Sequence, residues 1–381
     1  MTTSLIPALA RYATRFHAAL PNDDTTNSAA SPLGSWMLLA SLAVSTDFST
    51  TPDQKAAVED ALGMTVEEAG EHVAVLRENE ALNYVSKVWY QSQGLTDFPV
   101  VNEWIHRNTL EPAEAKIPSQ DLLDAWASEH THGLIKKFPV AVDPAATVFL
   151  MANVIYSKLV WQKAFQPALE GTMSEAWNVE EVLHSTHLIS QFYQVDGKTF
   201  ISTAVKADND HEQVHVVLPL YEDLDDDTLI SAAYRIVTGS EGVKEVAAVH
   251  VTDEPGILSR DTEAGYKGHK QDTLIPAWEA QSTHDLMSFP VFGYEPLSEA
   301  FAAGAKDGWG AQAAQSVVAK FGAEGFEAAA VTAFSVLRSA AMPQGMRVVL
   351  NVKYGRKFAF VSTVNELPVF SGIIREAKKL A

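Results

Sequence analysis

The chain has 381 residues, 47% of them hydrophobic and 20% charged, with a formal net charge of −20 and a pI of about 4.9. This is a globular composition with ample apolar material for a large core, and the negative charge argues against nucleic acid and anionic membrane surfaces as partners. The absence of cysteine excludes disulfides, thiol nucleophiles and cysteine-ligated zinc. The opening "MTTSLIPALARYATRFHAAL" lacks the basic start and unbroken apolar run of a secretory leader, because Arg11 and Arg15 interrupt it. A cytoplasmic chain is therefore expected, with export by another route left open. Leu5, Leu9, Tyr12, Phe16 and Leu20 recur on one helical face. After a polar loop, "LGSWMLLASLAV" is apolar all round and predicts a buried helix. Thr51, Pro52 and Gln54 form a helix-start signature. "ALNYVSKVWYQ" predicts a strand, and "DLLDAWASEHTHGLIKKF" a helix that stops at Gly133. "ATVFLMANVIYS" predicts a strand buried on both faces. "EQVHVVLPL" is a further strand, and "YEDLDDDTLISAAYRIV" a helix with acids at its start. Residues 253–284 read as a long polar loop with short elements, "DLMSFPVF" as a short strand, and "LSEAFAAGAKDGWG" as a helix ended by glycines. "MRVVLNVKYG", "KFAFVSTV" and "LPVFSGII" close the chain as strands. Helices come early and strands late, without a βαβ rhythm, so the fold class is α+β. No linker or internal repeat divides the chain, and one domain over residues 1–381 is expected.

Few motifs point to chemistry. "HEQVH" (His211, Glu212, His215) has the spacing of a zinc-protease helix, but the sequence around it is strand-like. On a strand the two histidines lie about 13 Å apart, too far to share one metal. "HSTH" (His184, His187) reads as a polar turn, and "GAKDGWG" as a helix stop, not a phosphate loop. No nucleophile elbow and no Ser/His/Asp set stands out. No enzyme, no metal site and no cofactor is predicted. "AEGFEAAAVTAFSVLRSA" (323–340) is small, apolar and nearly uncharged, yet carries no helical stripe. Read with a period of two, Phe326, Ala328, Ala330, Thr332, Phe334 and Val336 form a face without charge. The opposite face holds Glu327, Ala329, Val331, Ala333, Ser335 and Leu337.

In chain order these segments resemble those of the serpins. Ser31, Pro32, Ala40 and Leu42 match the family's early Ser-Pro segment, and Thr51 and Gln54 the helix after it. Trp126, Thr131, Gly133 and Ile135 match a later helix. Asn153, Tyr156, Trp161 and Phe165 match the "vNAiYFkGxWxxxF" run. "VHVVLPL", Pro290 with Phe292, and Phe358, Phe360, Pro368, Phe370 and Gly372 complete the series over nearly the whole chain. The resemblance implies three β-sheets, about eight or nine helices and a reactive-centre loop over about 323–345. "AEGFEAAAVT" is similar to the serpin hinge "EEGTEAAAAT", which implies hinge roles for Glu324, Gly325, Phe326, Glu327, Ala328, Ala329, Ala330, Val331 and Thr332.

The family's mechanism is that of a suicide substrate. A target protease cuts the loop, the loop inserts into the main sheet as a new strand, and the trapped acyl-enzyme is distorted. The family's spacing from Gly325 places the scissile bond at Ser339–Ala340, for an elastase-like target; a slip of one residue gives Arg338–Ser339 and a trypsin-like target. A serine protease is the implied partner, with a cysteine protease as a variant, and the inhibitor is expected to act as a monomer. Ser31, Gly34, Asn153 and Gln315 fall at the positions that close the sheet beneath the slot. The sequence departs from the family at several of these places. Ala323 replaces the first hinge glutamate and Phe326 a small residue. Gly34 and Gln315 replace a serine and a histidine, residues 342–357 make a longer tract than usual, and Lys357 stands for a proline. Forcing Phe326 into a packed slot is expected to cost about 1–3 kcal/mol. Ala323 and Phe326 therefore keep a second reading open, a serpin-fold binding protein without inhibition.

Overall fold

Helix formation follows local sequence closely in the computed structural model, which describes residues 2–20, 25–45, 51–91, 111–147, 149–168, 181–209, 211–264, 269–304, 312–326 and 346–377. The first helix, Thr2–Ala19, buries Leu5, Leu9, Tyr12 and Phe16 on one face. Pro32–Ser45 is buried all round, as its uninterrupted apolar sequence requires. Pro52–Leu62 starts with the expected Thr51/Gln54 capping box, and Val66–Arg77 repeats the device with Thr65 and Glu68. Gly63 joins them at a φ of 76°, where a side chain would be strained. Asp225 caps Asp226–Val237, and Gln120–His130 and Tyr294–Gly304 complete the helices among the described residues.

Among the described residues the strands form four sheets. The largest orders Ser28–Ala30, Leu367–Ile374, Phe358–Val364, Glu212–Pro219, Lys198–Lys206, Ser190–Val195 and Lys244–Val246, with every neighbour antiparallel. Leu367–Ile374 and Phe358–Val364, second and third in that order, are buried along their whole length. A five-stranded sheet orders Leu258–Ala264, Met346–Lys353, His269–Pro276, Val182–Ser185 and Gln166–Pro167. Where a third sheet was expected, two appear. Asn83–Tyr90 pairs with Phe149–Tyr156, and Trp278–Asp285, Ala314–Phe321, Gly325–Phe326 and Leu159–Val160 form a separate four-stranded sheet.

Three expectations are corrected. Residues 253–284 are not a long loop but carry the strand Leu258–Ala264, the strand His269–Pro276 and most of Trp278–Asp285. Leu258–Ala264 escapes detection because it is an exposed edge strand rich in charge. "DLMSFPVF" forms no strand; Pro290–Phe292 is a 3₁₀ turn closed by Gly293 at a φ of 78°. Phe149–Tyr156 is only half-buried, since one of its edges lines a cleft. His211 and His215 lie before and within the strand Glu212–Pro219, so the helical metal motif is not formed. Burial lowers the His215 pKa to about 4. Among the described residues no group of three or more His, Asp or Glu side chains could hold a metal, and no helix is long and apolar enough to cross a membrane.

Candidate functional site

A cleft of about 900 Å³ separates Phe149–Tyr156 from Ala314–Phe321. Its floor includes Ser31, Gly34, Ser35 and Leu38 of the Pro32–Ser45 region, and its roof Trp126, Leu134, Phe138 and Val140. Strand alternation assigns the sides. Leu150, Ala152 and Val154 pack with Trp89, Leu123 and Trp126 beneath the helix Gln120–His130. Phe149 and Met151 pack with Val88 and Leu42 on the opposite side, and the Asn153 amide also points there. At about 3.3 Å per residue each eight-residue lip is roughly 26 Å long.

The head of the cleft is occupied by the strand Gly325–Phe326, where the hinge is expected. The chain turns after Phe321, with the Gly322 N–H donating to the Gly325 carbonyl at 2.9 Å. Gly325–Phe326 then runs back antiparallel to Ala314–Phe321 and pairs on its other side with Leu159–Val160. Two strand spacings of ~4.8 Å therefore separate Ala314–Phe321 from Leu159–Val160 at this point, with Gly325–Phe326 between them. Gly325 is required here, because a Cβ would meet the Leu159 carbonyl oxygen at 2.0 Å. Phe326 is only 3% exposed. Its ring lies 6.2 Å from Trp278 and 6.3 Å from Phe360, and Trp278 stacks on Phe321 at 5.5 Å. The bulky residue at this position is thus received by an aromatic box at the cleft head. Trp161 latches the turn: its Nε1–H donates to the Gly322 carbonyl at 2.9 Å and its backbone N–H to the Glu324 carbonyl at 2.9 Å. The Phe165 N–H donates to the Ala323 carbonyl at 2.8 Å. All three bonds end on backbone carbonyls of 322–324, so they do not require the glutamate that Ala323 replaces.

Lower down, both lips are tied to the start of the helix Pro32–Ser45. The Gln315 amide makes a two-way link to the Ser31 backbone: Oε1 accepts from the Ser31 N–H at 2.9 Å and Nε2 donates to its carbonyl at 2.8 Å. Across the cleft, Asn153 Nδ2 donates to the Gly34 carbonyl at 2.8 Å. Ser31 Oγ donates to the Val369 carbonyl at 3.0 Å. A Cβ at Gly34 would stand 3.1 Å from Ser31 Oγ and 3.7 Å from Gln315 Nε2. The expected quartet of Ser31, Gly34, Asn153 and Gln315 is therefore brought together in one place.

A histidine absent from the sequence reading joins it. His284 faces Gln315 across the ladder, and its Nε2 lies 2.7 Å from the Ala29 carbonyl. Its ring meets Phe16 edge-on at 5.6 Å. Burial lowers the His284 pKa, whereas burial and then the nearby His284 push His17 down to about 3. His17 Nε2 and the Tyr234 hydroxyl both contact Ser371 Oγ at 2.8 Å. Near the head, burial raises the Glu212 pKa, while Ser157 Oγ and Asn209 Nδ2 bond its carboxylate at 3.2 and 2.6 Å. Sequence reasoning carried no signal for His284, Trp278 or Leu159, because each acts through a neighbour remote in sequence. Glu327, Ala328, Ala329, Ala330, Val331 and Thr332, together with Arg338, Ser339 and Ala340, lie outside the described residues.

Comparison with known proteins decides the family. The family model described as "Serpin (serine protease inhibitor)" matches residues 7–199, just over half of the 381-residue chain. The chain belongs to the serpin family. Serpins are generally protease inhibitors. Solved serpins share its fold at low identity. The native thermophilic serpin tengpin gives a TM-score of 0.68 at 15% identity, over 99% of this chain and 95% of its own. A serpin of the trematode Schistosoma haematobium gives 0.64 at 14%, over 98% and 100%. Serpin48 of the insect Tenebrio molitor gives 0.58 at 16%, over 97% and 95%. No curated protein sequence matches this serpin.

Proposed function

We propose that this serpin is an inhibitor of serine proteases that acts once, as a suicide substrate, with residues 1–381 working as one domain. The observation that carries the reading is the strand Gly325–Phe326 at the head of the cleft, paired on one side with Ala314–Phe321 and on the other with Leu159–Val160. Residues that follow Phe326 in extended form would run between the two lips, and the uncharged face from Phe326 to Val336 suits such a buried path. In the proposed reaction the protease's serine Oγ adds to the carbonyl carbon of residue 339. The peptide C–N bond breaks, the amine of Ala340 leaves with the proton taken from that serine, and an ester joins the two proteins. Insertion of the freed strand then competes with hydrolysis of the ester. Ser339 at the cut favours an elastase-like target; cutting after Arg338 favours a trypsin-like one. A cysteine protease would form the corresponding thioester.

The test is incubation with elastase-like and trypsin-like serine proteases, followed by denaturing electrophoresis and sequencing of the released peptide. A band at the summed mass, stable to boiling in detergent, is expected, with a new N-terminus at Ala340 or Ser339. The presence of Phe326 at a normally small position favours a second reading, a serpin-fold binding protein cleaved as an ordinary substrate. Clean cleavage near residue 339 without the band, and without a gain in thermal stability, would select it.

A further inference from the structure

Leu159–Val160 carries Gly325–Phe326 on one edge, through two residue pairs. Its other edge is tied to residues 206–212. The Gln162 N–H donates to the Lys206 carbonyl at 3.0 Å and the Asp208 N–H to the Val160 carbonyl at 2.9 Å, on either side of the bridge Trp161↔Ala207. A third tie is made by side chains, Ser157 Oγ donating to Glu212 Oε1 at 3.2 Å. Glu212 also organises the turn it ends. Asn209 Nδ2 donates to its Oε2 at 2.6 Å, and Asn209 Oδ1 accepts from the N–H groups of His211 and Glu212 at 3.1 and 3.2 Å. The Ala207 N–H donates to the Glu212 carbonyl at 2.9 Å. Gly325–Phe326 is thus seated against a strand whose far edge rests on one carboxylate and its turn.

That carboxylate is buried without a cation. Glu212 is 7% exposed and Ser157 6%. Among the described residues no lysine or arginine acts on it; its charged neighbours are His211, which favours the ionised form, and Asp208, which opposes it. Lys158 and Lys206, on the two tied segments, are exposed. The strand on the other side places Val364 opposite Glu212, followed by exposed Asn365 and Glu366. Burial outweighs the two neutral donors, so the ionised form is disfavoured. With its pKa raised above the ordinary 4.5, Glu212 costs the folded head nothing below that value, and its full penalty applies once pH has risen through the folded value. An opening that parts Ser157 from the turn hydrates the carboxylate and removes the penalty. Opening is therefore favoured at neutral pH and opposed in acid. We propose that Glu212 is an acid-tightened clasp: on taking up a proton it draws Leu159–Val160 onto the turn 206–212 and so steadies the seat of Gly325–Phe326. The inference concerns the seat alone and does not depend on the protein being an inhibitor. The fold as a whole responds in the opposite sense, because buried His17 and His284 destabilise it as pH falls.

The test is hydrogen exchange on the intact full chain at about pH 7 and about pH 5, corrected for the pH dependence of the chemical step. The reporters are the amides of Gln162 and Asp208, and those of Trp161 and Phe165, which bond the Glu324 and Ala323 carbonyls. Protection at these four should rise at least about threefold on acidification, while the helix Asp226–Val237 shows no rise. Glu212→Gln keeps the shape of the side chain without its charge and should hold the acid level of protection at both pH values. His211→Gln should keep the rise. Protection that stays flat or falls in the wild type overturns the clasp, as does a rise that survives in Glu212→Gln or vanishes in His211→Gln. Should Glu212→Gln fail to fold, Ser157→Ala decides. It leaves the carboxylate with one donor fewer, so the ratio of acid to neutral protection should exceed that of the wild type, and an equal or smaller ratio rejects the clasp.

Discussion

Replacing Phe326 by alanine tests whether the hinge is seated in the cleft head. The ring is 3% exposed and lies within 6.3 Å of the Trp278 and Phe360 rings. Truncating a buried phenylalanine costs about 3–5 kcal/mol when the site cannot collapse around the gap. Collapse is limited here, because Trp278, Phe321 and Phe360 are themselves fully buried and in mutual contact. An unfolding entropy of about 2.1 cal/mol/K per residue, taken over 381 residues, turns that cost into a melting shift of about 4–6 °C. A smaller response has a specific structural route: the two-residue strand Gly325–Phe326 can leave the head, which limits the loss to the hinge's own attachment. The two outcomes differ in fluorescence, since departure exposes Trp278 and the latch residue Trp161 to water. The assay is a melting curve with tryptophan emission measured on the intact protein. A shift of 4–6 °C with unchanged emission means the hinge stays seated over a cavity. A smaller shift with red-shifted emission means it has left. A shift under about 1 °C with unchanged emission refutes the burial argument, and with it the idea that the large residue is accommodated before cleavage.

Gly325→Ala places a methyl group 2.0 Å from the Leu159 carbonyl oxygen, so the pairing with Leu159–Val160 should be lost. On the proposed function more of the inhibitor should then be cleaved without trapping, read as the ratio of cleaved protein to detergent-stable complex; an unchanged ratio contradicts the role given to the hinge strand. Gln315→Ala strips the Ser31 N–H and carbonyl of their amide partner and should cost about 2–3 kcal/mol, whereas Asn153→Ala removes one bond to Gly34 and should cost about 1 kcal/mol. Denaturant midpoints order the two, and the reverse order refutes the two-way link. His17 is held neutral with its pKa near 3, below the ordinary 6.5. Its contribution is therefore complete above about pH 6.5 and is lost as pH falls toward 3, because the unfolded chain takes up the proton first. Between pH 7 and 5 the loss is about 2 kcal/mol from His17 alone, and His284 adds in the same direction. His17→Gln should flatten that slope, measured as melting temperature against pH, and an unaltered slope refutes the assignment.

The parts of this fold written in local chemistry were legible in sequence. The Thr51 capping box, the stripe from Leu5 to Phe16, and the fully buried helix Pro32–Ser45 each depend on neighbours a few residues away. The quartet Ser31, Gly34, Asn153 and Gln315 was reached through family resemblance, since nothing local joins residues more than a hundred positions apart. Leu258–Ala264 was missed for a physical reason. An edge strand exposed to water has no apolar face to alternate, and Arg260, Asp261 and Glu263 look like loop residues until their partners are known. His284 was missed because its role comes from register: it stands opposite Gln315 only when Trp278–Asp285 pairs with Ala314–Phe321.

The two ends of the 327–345 segment are held by unlike means. At Phe326 the attachment is short: one residue pair to Phe321, two to Leu159–Val160, and an aromatic box. On the proposed function, continuing that strand would add ladder on both sides, so each further residue inserted would gain what the previous one gained. At Met346 the attachment is already complete on both sides, and lengthening it offers nothing. A chain built this way has a favourable direction of movement at one end and a fixed point at the other. While the segment is continuous, the fixed point limits how far the growing end can travel. Cutting the segment anywhere between them removes that limit without touching either attachment. On the proposed function, the energy that distorts a trapped protease is therefore set by the cleft. Mutations at Gly325 and Phe326 should then alter the yield of trapping.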